Sequence, residues 1–181
     1  LWDFSLVDPD NRRPVDYGIR EKLLTGLGGM ASGEDLASEV AAMIEDGEWQ
    51  DGKPKLYLTW RALELRRERP GLFAEGNYVP LEVTGDGADH LVAFARISGD
   101  SAAVVVAPRL VGPLADDTGA LRLRPKALSG VRVELPGDLP ETGLVNVLTG
   151  EPVPLKDHDG TVIVSADGLL RDFPVALLAT P

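Results

Sequence analysis

Apolar positions fall at helical spacing through the first part of the chain. Ile19, Leu23, Leu24 and Leu27 stand at i, i+4, i+5 and i+8, one face of a helix predicted over 16–27, and Gly26, Gly28 and Gly29 end it. Ser32 suits an N-cap, and Asp35, three positions on, completes a capping-box-like pattern. Leu36, Val40, Met43 and Ile44 then form the stripe of a second helix, with Gly47 as its stop. A third helix is predicted over 54–68. Pro54 suits its first turn, Leu56, Trp60 and Leu63 make its inner face, and Arg66, Arg67 and Arg69 favour its C-terminal end before Pro70-Gly71 terminates it.

After Phe73 the period changes. Residues 78–84, 90–97 and 102–107 are short runs rich in β-forming residues, with Asp86-Gly87 and Gly99-Asp100 as hairpin-type turns between them. Further strands are predicted over 121–124, 130–135, 144–148, 161–165 and 175–178. Turn signals recur at the spacing of an antiparallel sandwich or barrel. The boundary between the two textures falls near residues 70–75.

Composition narrows the class. The chain has 181 residues, 44% of them hydrophobic, enough for one large domain or two small ones and too apolar for disorder. Its longest apolar run, 102–108, is far short of a membrane span. There is no cysteine, so disulfides and thiolate chemistry are excluded; this suits a reducing compartment, and a cytoplasmic location is expected. Net charge is −11, distributed as −4 over residues 1–72 and −7 over 73–181. Neither part offers the basic footprint that a phosphate backbone or an anionic bilayer requires, so no nucleic-acid or membrane partner is expected. The chain opens on Leu1-Trp2-Asp3-Phe4, a greasy start without Met, and is read as a piece of a longer protein.

The densest polar stretch is 8–17. Asp8, Asp10, Asn11, Arg12 and Arg13 lie between Pro9 and Pro14 or beside them, and Tyr17 follows. Carboxylate, amide and guanidinium groups on a proline-stiffened loop fit recognition of a polyhydroxylated ligand. An Asp/Asn turn with a surface arginine pair fits the same residues. The D-x-D spacing fails as a calcium loop, because Arg13 stands where glycine is needed and Ile19 where glutamate is needed. Asp157-His158-Asp159-Gly160 reads as a hairpin connection rather than a metal loop. His90 and His158 are far apart in sequence and lack zinc-site spacing, and no nucleophile elbow or phosphate loop is present. No metal or cofactor is expected. Trp49, Tyr57 and Trp60 could stack on sugars, but Trp60 falls on the inner helical face and core packing is expected of it.

The stretch from Leu1 through Asp8-Pro9-Asp10-Asn11-Arg12-Arg13-Pro14-Val15-Asp16-Tyr17 resembles the end of the catalytic domain in the maltooligosyl trehalose synthases, enzymes of the α-amylase family of glycoside hydrolases. Gly52-Lys53-Pro54-Lys55-Leu56, Ala62 to Arg67, Pro70-Gly71-Leu72-Phe73, Gly76 to Leu81, His90 to Arg96 and Leu169 to Leu178 continue the likeness, whereas 111–160 is unspecific. The resemblance implies an α+β fragment: residues 1–72 as the helical end of a (β/α)8 barrel and residues 73–181 as an antiparallel C-terminal β-sandwich. It further implies conversion of the reducing-end α-1,4 linkage of a maltooligosaccharide into an α,α-1,1 linkage by retaining intramolecular transglucosylation. The family's catalytic acids would precede Leu1, so no catalytic residue is assigned, the fragment alone should be inactive, and its partner would be the upstream catalytic barrel of the same protein. Asp8, Asp10, Asn11, Arg12 and Arg13 would lie on a barrel-top loop and shape the acceptor side of the sugar site. The alternatives are another hydrolase or transglycosylase of that family, or a non-catalytic carbohydrate-binding or structural module. A binding module should show aromatic rings on its sheet face, and within 79–181 only Phe94 and Phe173 are aromatic, both in runs that read as core.

Overall fold

Strict alternation in one strand sets the architecture. Along β3 (Leu91–Ser98), Leu91, Ala93, Ala95 and Ile97 are buried while the residues between them are not. That is the pattern of a strand with one face on a core. Its hairpin partner β4 (Ser101–Pro108) is different: Ala102, Val104 and Val106 enter the same core as β3, and Ala103 with Val105 packs on the opposite side. β4 is therefore covered on both faces, which is why its sequence is an uninterrupted apolar run.

The computed structural model describes residues 16–33, 35–45, 52–115, 122–124, 126–137, 139 and 142–181. Within them, α1 (Tyr17–Ala31), α2 (Leu36–Glu45), α3 (Lys53–Glu68) and α4 (Pro70–Glu75) precede the strands. β1 (Asn77–Pro80), β3, β4, β9 (Ala176–Ala179) and β6 (Val145–Asn146) form one antiparallel sheet in that order. β2 (Val83–Thr84), β5 (Arg132–Glu134), β8 (Thr161–Ser165) and β7 (Lys156–His158) form a second, also antiparallel. A short helix, α5 (Ala166–Leu169), follows β8.

Two cores lie on the two faces of the five-stranded sheet. One fills the space between the sheets, with Leu91, Val104, Val106, Val133, Val164 and Leu178 among its members. The other joins the helices to the outer face of the first sheet: Leu27, Val40, Ile44, Tyr57, Leu65 and Leu72 meet Ala103, Leu148, Phe173 and Leu177. Each fully buried Val or Leu here contributes ~1.5–3 kcal/mol of transfer free energy. Polar ties reinforce the second core. The Tyr57 hydroxyl donates to the Leu148 carbonyl at 2.5 Å. Arg61 donates to the Val147 carbonyl through Nε and Nη2 at 3.2 and 3.0 Å, and its Nη1 meets Glu64 at 2.7 Å. Arg69 reaches the Thr180 hydroxyl and carbonyl at 2.8 and 2.7 Å and the Ser101 hydroxyl at 3.2 Å.

Several expected features differ in detail. The first helix does not stop at its glycines but runs through Gly26, Gly28 and Gly29 to Ala31. Ser32 ends that helix instead of starting the next: its backbone N–H donates to the Gly29 carbonyl and its hydroxyl to the Gly28 carbonyl, while the Gly33 N–H donates to Met30. Pro70 terminates α3 but also opens α4, where proline at the first turn is tolerated. The predicted 78–84 strand is two strands in different sheets, with the chain crossing between them at Leu81 and Glu82. Strand β7 went unpredicted because all three of its residues are exposed and polar. Gly47, Trp49 and Leu121 lie outside the described residues.

Candidate functional site

The residues singled out as a recognition loop, Asp8, Asp10, Asn11, Arg12 and Arg13, lie outside the described residues. The carboxylate of Asp16 accepts from the Ile19 backbone N–H at 3.0 Å, capping α1.

A cleft of about 460 Å³ opens between α2, residues 122–124, 126 and 128, and the turn that leads from α5 into β9. Its rim carries Arg122, Arg124, Lys126 and Arg171 with Asp167 and Asp172, above an apolar floor that includes Ile44 and Leu128. Arg171 grips Asp172 through two nitrogens at 2.8 to 3.2 Å, which raises the Arg171 pKa above its usual value, and the Asp172 charge adds to this. Glu151 stands 3.9 Å from the same guanidinium. Arg124 donates to the Pro113 carbonyl. Arg171, Asp172 and Arg124 are thus engaged with neighbouring protein groups. A second cleft of about 430 Å³ shares the Arg171–Asp172 pair and adds Asn146, Thr149 and Lys156.

The other candidates resolve as structural groups. Asp157 to Gly160 is a hairpin turn joining β7 to β8: Asp157 Oδ1 accepts from the Gly160 N–H at 3.1 Å, and Asp159 and Gly160 both take positive φ, 54° and 82°. His90 Nδ1 lies 3.1 Å from the Leu110 carbonyl, and His158 Nε2 lies 3.5 Å from Arg132. No group of three or more His, Asp or Glu that could hold a metal occurs among the described residues. Trp60 is half-buried, edge-on to Tyr57 at 6.1 Å, with the Arg61 guanidinium 5.6 Å from its ring centre. Phe173 is buried, as expected, and edge-on to Tyr57. Phe94 is not core: it lies half-buried on the outer face of the first sheet, 5.1 Å from the exposed Tyr78 ring.

The groups that matter most to the architecture were only half visible in the sequence. Arg69 reads in sequence as a charge at a helix end, yet it spans from the helices to Thr180. Tyr57 reads in sequence as a possible stacking ring, but it is fully buried, and burial pushes its hydroxyl up to about 12, with Arg61 opposing and Glu64 adding a little.

The described residues thus form two antiparallel sheets with helices packed on one of them, and no helix among them is long and apolar enough to cross a membrane. Comparison with known proteins says where such an arrangement occurs. No family model matches the chain. The structure is similar to a point mutant of maltooligosyltrehalose synthase from Arthrobacter ramosus, with a TM-score of 0.66 and 33% identity over 99% of this chain and 19% of that one. Two curated Mycobacterium tuberculosis proteins, from strains CDC 1551 and H37Rv, carry the provisional name maltooligosyl trehalose synthase and are each 42% identical over 106 residues, 59% of this chain and 10% of theirs. The chain therefore resembles the C-terminal part of maltooligosyltrehalose synthases, in sequence and in its α+β, antiparallel fold.

Proposed function

We propose that the chain is the C-terminal region of an enzyme that converts the reducing-end α-1,4 linkage of a maltooligosaccharide into α,α-1,1, an intramolecular glucosyl transfer with retained configuration. The observation that carries this reading is the likeness to the Arthrobacter enzyme along nearly all of the chain, at an identity well above that of shared fold alone.

In this reading the helices at 16–72 belong to the end of the catalytic (β/α)8 barrel and residues 73–181 to the C-terminal sandwich. The nucleophilic Asp and the acid/base Glu of a retaining mechanism are supplied by the barrel upstream, and the region alone turns over no glucan. The freed glucose must be turned and reattached through its anomeric hydroxyl while water is held away, or hydrolysis wins. Asp8, Asp10, Asn11, Arg12 and Arg13, on the loop ahead of α1, shape the acceptor side where that turn takes place. The enzyme is cytoplasmic.

The loop's role is tested in the Arthrobacter enzyme with its matched stretch replaced by this chain. Asp10→Ala and Arg12→Ala should each raise glucose release relative to trehalose-unit formation from maltopentaose, by roughly tenfold for loss of a charged contact that orients a reacting sugar. Product ratios unchanged in both variants contradict the role.

A further inference from the structure

The turn that follows β6 uses every polar atom of Asn146 but one. Its N–H donates to the Glu151 carbonyl at 2.8 Å, and its carbonyl accepts from the Thr149 and Gly150 N–H groups at 3.2 and 2.7 Å. Its side-chain Oδ1 accepts from the Leu148 N–H at 3.1 Å. An aspartate could hold that turn in the same way. What the amide adds is two N–H donors on Nδ2, which meet no acceptor among the described residues. Asn146 is only 6% exposed, yet Nδ2 is not sealed in. Among the described residues, Arg20 alone has a side-chain polar atom both shut off from solvent and unpaired. Asn146 lines the cleft of about 430 Å³, so Nδ2 opens there. Thr149, 5% exposed, lines the same cleft. Its hydroxyl oxygen accepts from the Glu151 N–H at 3.4 Å and keeps its own proton to donate.

Two nearly buried side chains with unused donors in one concavity call for a partner, since an unpaired buried donor destabilises the fold. The rest of the cleft says which kind. Lys156 and Arg171 stand at its edge with Glu151 and Asp172, two charges of each sign. Arg171 is committed to Asp172 at 2.8 Å, whereas Glu151 comes no closer to it than 3.9 Å and can still accept. An anion would face both carboxylates. A hydroxyl donates and accepts at once, which suits a site offering amide, hydroxyl and ammonium donors beside a carboxylate. Pro152, Val153 and Leu169 add an apolar wall for the C–H face of a ring. The volume is that of a small-ligand pocket.

We propose that this cleft binds a neutral saccharide of one or two rings. The Asn146 amide and the Thr149 hydroxyl donate to its oxygens from within, Lys156 donates from the edge, and Glu151 accepts. The site stands on this chemistry alone; only the choice of test sugars draws on the functional reading above.

The isotope-labelled 181-residue chain is titrated with maltose, with α,α-trehalose and with inorganic sulfate, and the Asn146 side-chain amide signals, assigned by their loss in Asn146→Asp, are followed by NMR. At least one disaccharide should move them saturably, with the millimolar affinity of a site lacking an aromatic wall. Tighter binding of maltose assigns the cleft to a glucan end, and of trehalose to the α,α-1,1 unit. Thr149→Val and Lys156→Met should each weaken binding at least about threefold, as one lost hydrogen bond does. Lys156 is exposed, so its variant should keep the parent's thermal midpoint and decides the matter should Thr149→Val not fold. Lys126→Met, in the neighbouring cleft, should leave the affinity unchanged. Amide signals that move with neither sugar overturn the proposal. So does sulfate binding tighter than both sugars, which makes the cleft an anion site, and so does an affinity unchanged in both variants. Saccharide binding by a chain whose Arthrobacter hybrid makes no trehalose linkage refutes the proposed reaction and leaves the site standing; an active hybrid with unmoved Asn146 signals does the reverse.

Discussion

Replacing Tyr57 by phenylalanine deletes one oxygen and leaves the Leu148 carbonyl buried without its donor. The ring contacts to Trp60 and Phe173 remain, so the loss is that of one buried hydrogen bond, ~1–3 kcal/mol, read as a lower urea midpoint. The same residue sets an alkaline limit. Its hydroxyl ionises near 10 when unfolded and is pushed up to about 12 by burial in the fold, so the unfolded chain gives up its proton first as pH rises. Its contribution is complete below pH 10 and is lost as pH climbs toward 12, amounting at most to roughly 3 kcal/mol. Unfolding midpoints measured from pH 9 to 12 should therefore fall less steeply for Tyr57→Phe than for the parent; equal slopes contradict the assignment. At this scale the sequence named the right aromatic cluster but not its use. A tyrosine beside a tryptophan reads equally as a stacking platform or as core, and only the partner in a turn some ninety residues away decides between them.

Elements were the most legible level, and the misreadings share a cause. Periodicity located all three long helices and most strands. It assigns the inner face of α3 to Leu56, Trp60 and Leu63; Leu56 and Trp60 do pack against the helix–sheet core, but its fully buried positions are Tyr57 and Leu65 and Leu63 is exposed, because an amphipathic pattern reports that a stripe is apolar and not which neighbour covers it. Ser32 fits a helix start by composition, yet its hydroxyl closes the preceding helix, since capping residues serve whichever end lies within reach. Gly26, Gly28 and Gly29 were read as a stop, but the packing of Leu27 into the helix–sheet core holds α1 helical past them. That override has a cost in chain entropy which can be recovered. A methyl group at Gly26 or Gly29 meets nothing within 4 Å. Gly26→Ala and Gly29→Ala should each stabilise the chain by ~0.4–1 kcal/mol and raise the thermal midpoint, provided the positions stay helical. A lower midpoint in either variant would show that α1 does not extend beyond Leu27 in solution.

For the whole molecule, the central sheet is the organising layer. β4 and β9 are buried on both faces, one toward the second sheet and one toward the helices, and Arg69 fastens the helices to Ser101 of β4 and to Thr180 just past β9. The α+β antiparallel class was readable from the switch in period near Phe73. The pairing order was not, because β9 lies between β4 and β6 and nothing in short apolar runs specifies such a partner. The site was less legible still. The richest motif, Asp8 to Arg13, lies outside the described residues, and its meaning comes from likeness to a family. The most direct measurement is therefore made on the joined protein. Maltopentaose is incubated with the Arthrobacter enzyme in which this chain replaces the matched stretch, and reducing ends and products are followed together. The account predicts loss of reducing ends with formation of maltooligosyl trehalose, and no turnover by the 181-residue chain alone. A folded hybrid that only hydrolyses maltopentaose, or an isolated chain that consumes it, would contradict the account.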